Sequence, residues 1–143
     1  MRSLSRRTGF TLIELIAVIV VLAVLAGVAL PRYFDYADDA HVSATKGALG
    51  GVRAGLANWY ANEALTNGAP TYPTFVQLYA LGTVMQELLP ENPYNDDATI
   101  RDADTLWVAG NPPIAGANGW AYDETAGKFW ANSTTAGVNE HQW

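Results

Sequence analysis

Few side chains in this sequence stand at spacings that chemistry requires. Glu14 is the most conspicuous: it lies inside an apolar run, and from Leu15 to Leu30 no charged or strongly polar residue follows it. A carboxylate placed in lipid costs on the order of 2.5 kcal/mol at mid-bilayer, less near a helix end, so it implies a partner. A second group is Asn95, Asp96, Asp97, Asp102 and Asp104, oxygen donors within ten positions. Hard oxygen ligands on a loop suit calcium. Asp96, Asp97, Asp102 and Asp104 are therefore candidate ligands, although their spacing matches no EF-hand and a solvated acidic loop is the simpler reading. His41 and His141 stand apart from any metal-ligand partner and read as surface residues. Ser43 and Ser133 have no evident base beside them. No catalytic residue emerges, and the reading is not an enzyme. The chain has no cysteine, which excludes disulfides, cysteine-zinc sites and cysteine nucleophiles together.

The element that must carry Glu14 is the apolar run itself. A helix from Phe10 to Leu30 rises about 30 Å, one hydrocarbon thickness. Arg2, Arg6 and Arg7 precede it, and Asp35, Asp38 and Asp39 follow it. That asymmetry places the N-terminus in the cytoplasm. Two conventional readings compete. Basic start, apolar run and Ala26-Gly27-Val28-Ala29 also describe an ordinary signal peptide, which would release a secreted aromatic-rich binding module. An uncleaved anchor is the other. Glu14 argues against the signal peptide, since an apolar targeting segment gains nothing from an early acid.

The segment Gly9-Phe10-Thr11-Leu12-Ile13-Glu14-Leu15 resembles the cleavage and methylation motif of type IV prepilins and type II secretion pseudopilins. Gly9, Phe10 and Glu14 match it, followed by the apolar run and Pro31. The resemblance is strong over residues 1 to about 35 and weaker beyond. It implies a leader cut after Gly9, methylation of the Phe10 amine by the same peptidase, and a role for Glu14 in joining subunits. It also implies self-assembly into a filament on an inner-membrane assembly platform, with Pro31 in a segment that loses helix on assembly. Many major pilins close a C-terminal loop with a disulfide, so the missing cysteines tilt the resemblance toward pseudopilins. The calcium site of the major pseudopilin keeps the acidic loop in view as a cofactor candidate.

The rest of the chain fits an α+β, pilin-like architecture: a long N-terminal helix, half of it transmembrane, packed on a small antiparallel sheet. Residues 1–9 read as leader, 10–30 as membrane and assembly segment, 31–64 as the amphipathic half of the helix, and 65–143 as a small head. Pro31 lacks the amide that would bond the Gly27 carbonyl, and a kink or local melting is expected there. Val42, Leu49, Val52, Leu56 and Trp59 recur at helical spacing and form one apolar stripe. Ala40, Ala44, Gly47, Ala48, Gly51 and Gly55 line a neighbouring small-residue face, open either to another helix or to the head itself.

Thr74 caps a predicted short helix over 75–89. Residues 105–109 read as a strand, and 119–123 with 128–132 as a hairpin around a glycine-containing turn. Aromatics are core residues in this scheme, Trp107, Trp120 and Trp130 above all, although five tryptophans also suggest a sugar-stacking platform. The tail from Gly137 reads as loose. A formal charge of −6 argues against nucleic acid, because phosphate binding needs a basic face. The partners expected are other subunits, the peptidase, the assembly platform and membrane lipid. The expected location is the bacterial inner membrane, single-pass with the head periplasmic, then a periplasmic or surface filament.

Overall fold

A computed structural model describes residues 9–103 and 106–143. Leader residues 1–8 and Asp104 therefore lie outside the described residues. The chain divides into two compact units, Met1–Asp39 and Ala40–Trp143.

Helix α1 spans Leu12–Asn67, 56 residues, and contributes to both units. In the first unit its apolar residues are exposed all the way round. Leu15, Val20, Leu25 and Leu30 are all exposed, and the most apolar stretch is long and greasy enough to cross a membrane. The helix runs unbroken through Pro31, so the expected melting is not present in this state. The bond from residue 31 to the Gly27 carbonyl is still impossible, and the weak point stays in place.

The second unit is built on the other end of α1. Thr45, Leu49, Val52 and Leu56 are buried at helical spacing. Trp59 is half-buried and Val42 likewise, so the stripe is centred as its spacing predicts. A three-stranded sheet covers it: β1 (Ile100–Asp102), β2 (Trp120–Asp123) and β3 (Lys128–Ala131), in that order. β2 and β3 form the expected antiparallel hairpin, with Trp120 opposite Ala131 and Tyr122 opposite Phe129. β1 pairs parallel to β2, with Ile100 opposite Trp120. The sheet is thus mixed rather than all-antiparallel.

Strand alternation sends Trp120, Tyr122, Phe129 and Ala131 to the face shared with Leu49, Val52, Leu56 and Leu78. The rings of Trp120 and Phe129 stack at 5.4 Å. Ala121 and Trp130 point to the other face, where Ala103 and Trp107 cover them. That cover explains the misplaced strand. Residues 106–108 are irregular, because Trp107 is used as a lid on β2 and β3 rather than as a rung beside them.

The polar tips of the three large aromatics on the sheet, Trp120, Trp130 and Tyr122, are satisfied as burial requires, whereas Trp59 Nε1 on α1 is buried without a partner. Trp120 Nε1 donates to the Pro90 carbonyl, Trp130 Nε1 to the Pro113 carbonyl and Tyr122 Oη to the Pro73 carbonyl. Burial, with help from the nearby Glu124 charge, pushes the Tyr122 phenol well above its ordinary range.

The predicted helix over 75–89 is shorter than its spacing suggests. α2 covers Phe75–Tyr79 only. Ala80 turns to an extended conformation and Gly82 adopts φ +76°, so residues 80–89 return as turns. Gly119 marks the tightest approach in the unit. A Cβ there would lie 1.7 Å from the Asp97 carbonyl oxygen, so only glycine lets the 92–97 turn sit against the start of β2.

The tail is ordered rather than loose. Residues 140–142 form a 3₁₀ turn, and Glu140 and His141 are buried. The Glu140 carboxylate accepts from the Thr135 amide and hydroxyl at 2.8 and 3.1 Å. His141, expected at the surface, packs with Nε2 3.4 Å from Asn111 Oδ1. His41 is exposed and meets the Tyr94 ring edge-on.

Candidate functional site

The candidate site is the start of α1. Gly9 and Phe10 precede the helix. No atom would meet a Cβ at Gly9 within 4 Å, and Phe10 is 92% exposed. Both residues are open to their surroundings.

Thr11 is the residue that reading Glu14 as an isolated acid overlooks. Glu14 Oε2 accepts from the Thr11 amide at 2.7 Å and from its hydroxyl at 2.7 Å. The Glu14 amide in turn donates to Thr11 Oγ1 at 3.3 Å. This reciprocal pair is a capping box: it satisfies amides that the first turn of a helix leaves without partners. Its signal, Thr-x-x-Glu before an apolar run, was present in the sequence. In the separate chain Glu14 therefore has a local partner, and its charge lies within the first turn, where the helix dipole favours an anion.

Pro31 lies in the same helix, far along from Glu14, and is not brought near it. The four site residues Gly9, Phe10, Glu14 and Pro31 are thus ordered along one element rather than gathered into a pocket. That element presents a carboxylate near the end of an apolar rod and an apolar surface on every side.

The small-residue face of α1 is divided between two environments. A Cβ at Gly55 would meet Met85 Sδ at 2.9 Å and the Val84 carbonyl at 3.2 Å, so Gly55 accommodates its own unit. Gly47, Gly50 and Gly51 face open space.

The acidic group does not converge. Asp97 Oδ1 accepts from the Thr99 amide and hydroxyl, both at 2.6 Å, and these bonds hold its carboxyl below the usual range. Asp96 sits on the exposed turn at φ 51°, and Asp102 on β1. Asp104 lies outside the described residues. Among the described residues no three His, Asp or Glu side chains form a metal-ligand set. What the 92–97 segment does instead is structural. Buried Asn92 donates to the Gly119 carbonyl and to Ser133 Oγ, both at 2.8 Å, and accepts from the Tyr94 amide at 3.1 Å.

Residues 4–30 match the family described as the prokaryotic N-terminal methylation motif. The chain is 32% identical over 98 residues to a fimbrial protein of Moraxella nonliquefaciens, covering 68% of this chain and 64% of that one. It is 38% identical over 55 residues to the fimbrial protein EcpC of Eikenella corrodens, covering 38% and 36%. It is 42% identical over 57 residues to the type IV major pilin PilE of Neisseria gonorrhoeae, covering 40% and 34%. The matched segment thus spans less than two thirds of each of these relatives. No solved structure matches the chain.

Proposed function

From the N-terminal methylation motif and the similarity to fimbrial proteins, we propose that the chain is a type IV pilin-like structural subunit of a helical filament assembled from the bacterial inner membrane. The observation that carries this reading is the start of α1: an open Gly9-Phe10 junction, a carboxylate one turn on, and an apolar rod exposed on all sides. Buried in lipid, that rod anchors the subunit with its N-terminus cytoplasmic and its second unit periplasmic. Packed against copies of itself, it becomes the filament core. No enzymatic role is assigned.

A prepilin peptidase removes residues 1–9 and methylates the Phe10 amine. The new cationic amine and the Glu14 carboxylate then lie one helical turn apart along the axis. Each charge alone is costly in a low-dielectric layer, and pairing recovers much of that cost. When the amine belongs to an incoming subunit, adding that subunit neutralises a carboxylate already held in lipid. Pro31 supplies the place where the helix lengthens when the filament is assembled or pulled. The pilin relatives favour a type IV pilus. The absence of cysteine favours a type II secretion pseudopilus, the second reading.

The deciding experiment is mass spectrometry of the mature N-terminus from cells that make the protein. The expected first residue is Phe10, methylated on its amine. A mature chain beginning near Leu30 would replace this reading with a conventional secreted protein, and a chain still carrying residues 1–9 would make it a plain membrane anchor.

A further inference from the structure

We propose that a cleft in the second unit binds an acidic saccharide, a sugar chain bearing carboxylates. The cleft has a volume of about 510 Å³, within the range of small-ligand sites. Its walls are aromatic. Tyr60 of α1 and Tyr72 stack at 4.6 Å with their planes 29° apart, and Trp107 and Trp143 also line the cleft. Flat rings of this kind fit the C–H faces of pyranose units, whereas polar tips at the ring edges meet hydroxyls.

The electrostatics select the ligand's charge. Arg53 and Lys128 line the cleft, and among the described residues no Asp or Glu does. That is a local reversal in a chain of net charge −6. Arg53 is held in place: its Nε and Nη2 donate to the Phe129 carbonyl at 3.1 and 2.9 Å, and Nη2 also donates to the Trp143 main-chain oxygen. A guanidinium fixed by two of its nitrogens loses little freedom when a carboxylate takes the third. The Lys128 ammonium rests 5.1 Å from the centre of the Trp107 ring. A carboxylate arriving beside that ring meets a cation already in position.

One part of the wall is packed through a glycine. Gly127 has φ +63°, and a Cβ there would stand 2.2 Å from the Tyr72 ring. The turn between β2 and β3 therefore places Tyr72 by leaving out a side chain. Two other kinds of ligand fit less well. A nucleic acid strand needs a run of cations tracking its phosphates, and here two cations sit in an acidic protein. An apolar peptide would leave both cations without a counter-charge.

The test uses the full chain in detergent micelles and tetragalacturonate as probe. Its fully methyl-esterified form, the same sugar with the carboxylates masked, is the control, together with a short single-stranded oligonucleotide. Calorimetry should show saturable binding of tetragalacturonate, with the Trp107 and Trp143 indole signals shifting in NMR spectra of the unaltered chain. Masking the carboxylates, or introducing Lys128→Glu or Tyr60→Ala, should weaken binding by about tenfold or more, the loss expected for one charge-assisted or stacking contact. Both side chains lie at the edge of the unit, and circular dichroism checks that each variant is folded. Absence of saturable binding, equal affinity for the ester, binding of the oligonucleotide alone, or indole shifts confined to other tryptophans would each overturn the proposal. The site does not depend on the filament reading, since a chain that never polymerises still presents it.

Discussion

The chain starts two helices in the same way and in opposite surroundings. Thr11 and Glu14 cap α1, and Thr74 and Gln77 cap α2. The distances nearly coincide. The cap amide lies 2.7 Å from Glu14 Oε2 in one and 2.8 Å from Gln77 Oε1 in the other, and the returning bond is 3.3 Å in both. In the second unit a neutral amide does this work. In the apolar segment a carboxylate does it, although glutamine closes a capping box equally well. The charge at position 14 is therefore surplus to the hydrogen bonds of the cap; the helix dipole favours it by about 0.3–1 kcal/mol, less than a carboxylate costs at mid-bilayer.

The largest expected effect separates the cap from the charge. Glu14→Gln keeps every hydrogen bond of the capping box and removes only the charge. If the carboxylate neutralises an incoming amine, filament yield should fall at least about tenfold in both Glu14→Gln and Glu14→Ala, the order that one lost ion pair in low dielectric sets. Processing at Gly9 and the amount of protein in the membrane should hold steady. Normal filaments from Glu14→Gln with none from Glu14→Ala would return the role to the cap alone.

The next effect sharpens the contrast between the two halves of α1. Leu25 is 60% exposed and Leu49 is 1% exposed, although both are leucines on the same helix. Leu49→Ala should lower the unfolding free energy of the second unit by about 2–5 kcal/mol, whereas Leu25→Ala should leave it within about 0.5 kcal/mol. All five tryptophans lie in the second unit, so their fluorescence during denaturation in micelles reports that unit alone. Equal losses from the two variants would mean that the halves do not fold independently.

The smallest effect returns to the caps. Thr74→Ala should cost about 1 kcal/mol in the same measurement. Gln77→Glu should be close to neutral, because the box accepts either side chain. A large loss from Gln77→Glu would show that the two caps are not equivalent, and the argument about surplus charge at Glu14 would fail with it.

Legibility in the sequence followed the range of the interaction. Leu49, Val52 and Leu56 announce themselves through a period set by one helix, and Trp120 with Tyr122 through the alternation of one strand. The hairpin is local and was readable. β1 was not, because Ile100-Arg101-Asp102 has three residues, two of them charged, and its parallel partner lies across a long connection. Trp107 and Val108 look like strand residues because they are apolar, but Trp107 covers a sheet that other segments form and Val108 is exposed. His141 and Glu140 give no local sign of burial. Their surroundings come from Asn111 and Thr135, and only the folded chain brings these together. At the site, Glu14 was conspicuous for its cost. Thr11 is less conspicuous, because Thr-x-x-Glu is an ordinary helix start and carries no cost in lipid of its own.

The order in which the second unit's parts are made has its own consequence. The stripe at Leu49, Val52 and Leu56 leaves the ribosome about 70 residues before Trp120, Tyr122 and Phe129, its partners in the core. At roughly 5–20 residues per second, the half-finished core waits on the order of 3–14 s for its cover. During that interval the second unit's half of α1 displays an uncovered apolar flank. Closure by non-local strand pairing is inherently slow. An uncovered flank of this kind is exposed to proteolysis until the hairpin arrives. Premature stops upstream of Trp120 should be cleared from the cell rather than accumulate as shortened subunits.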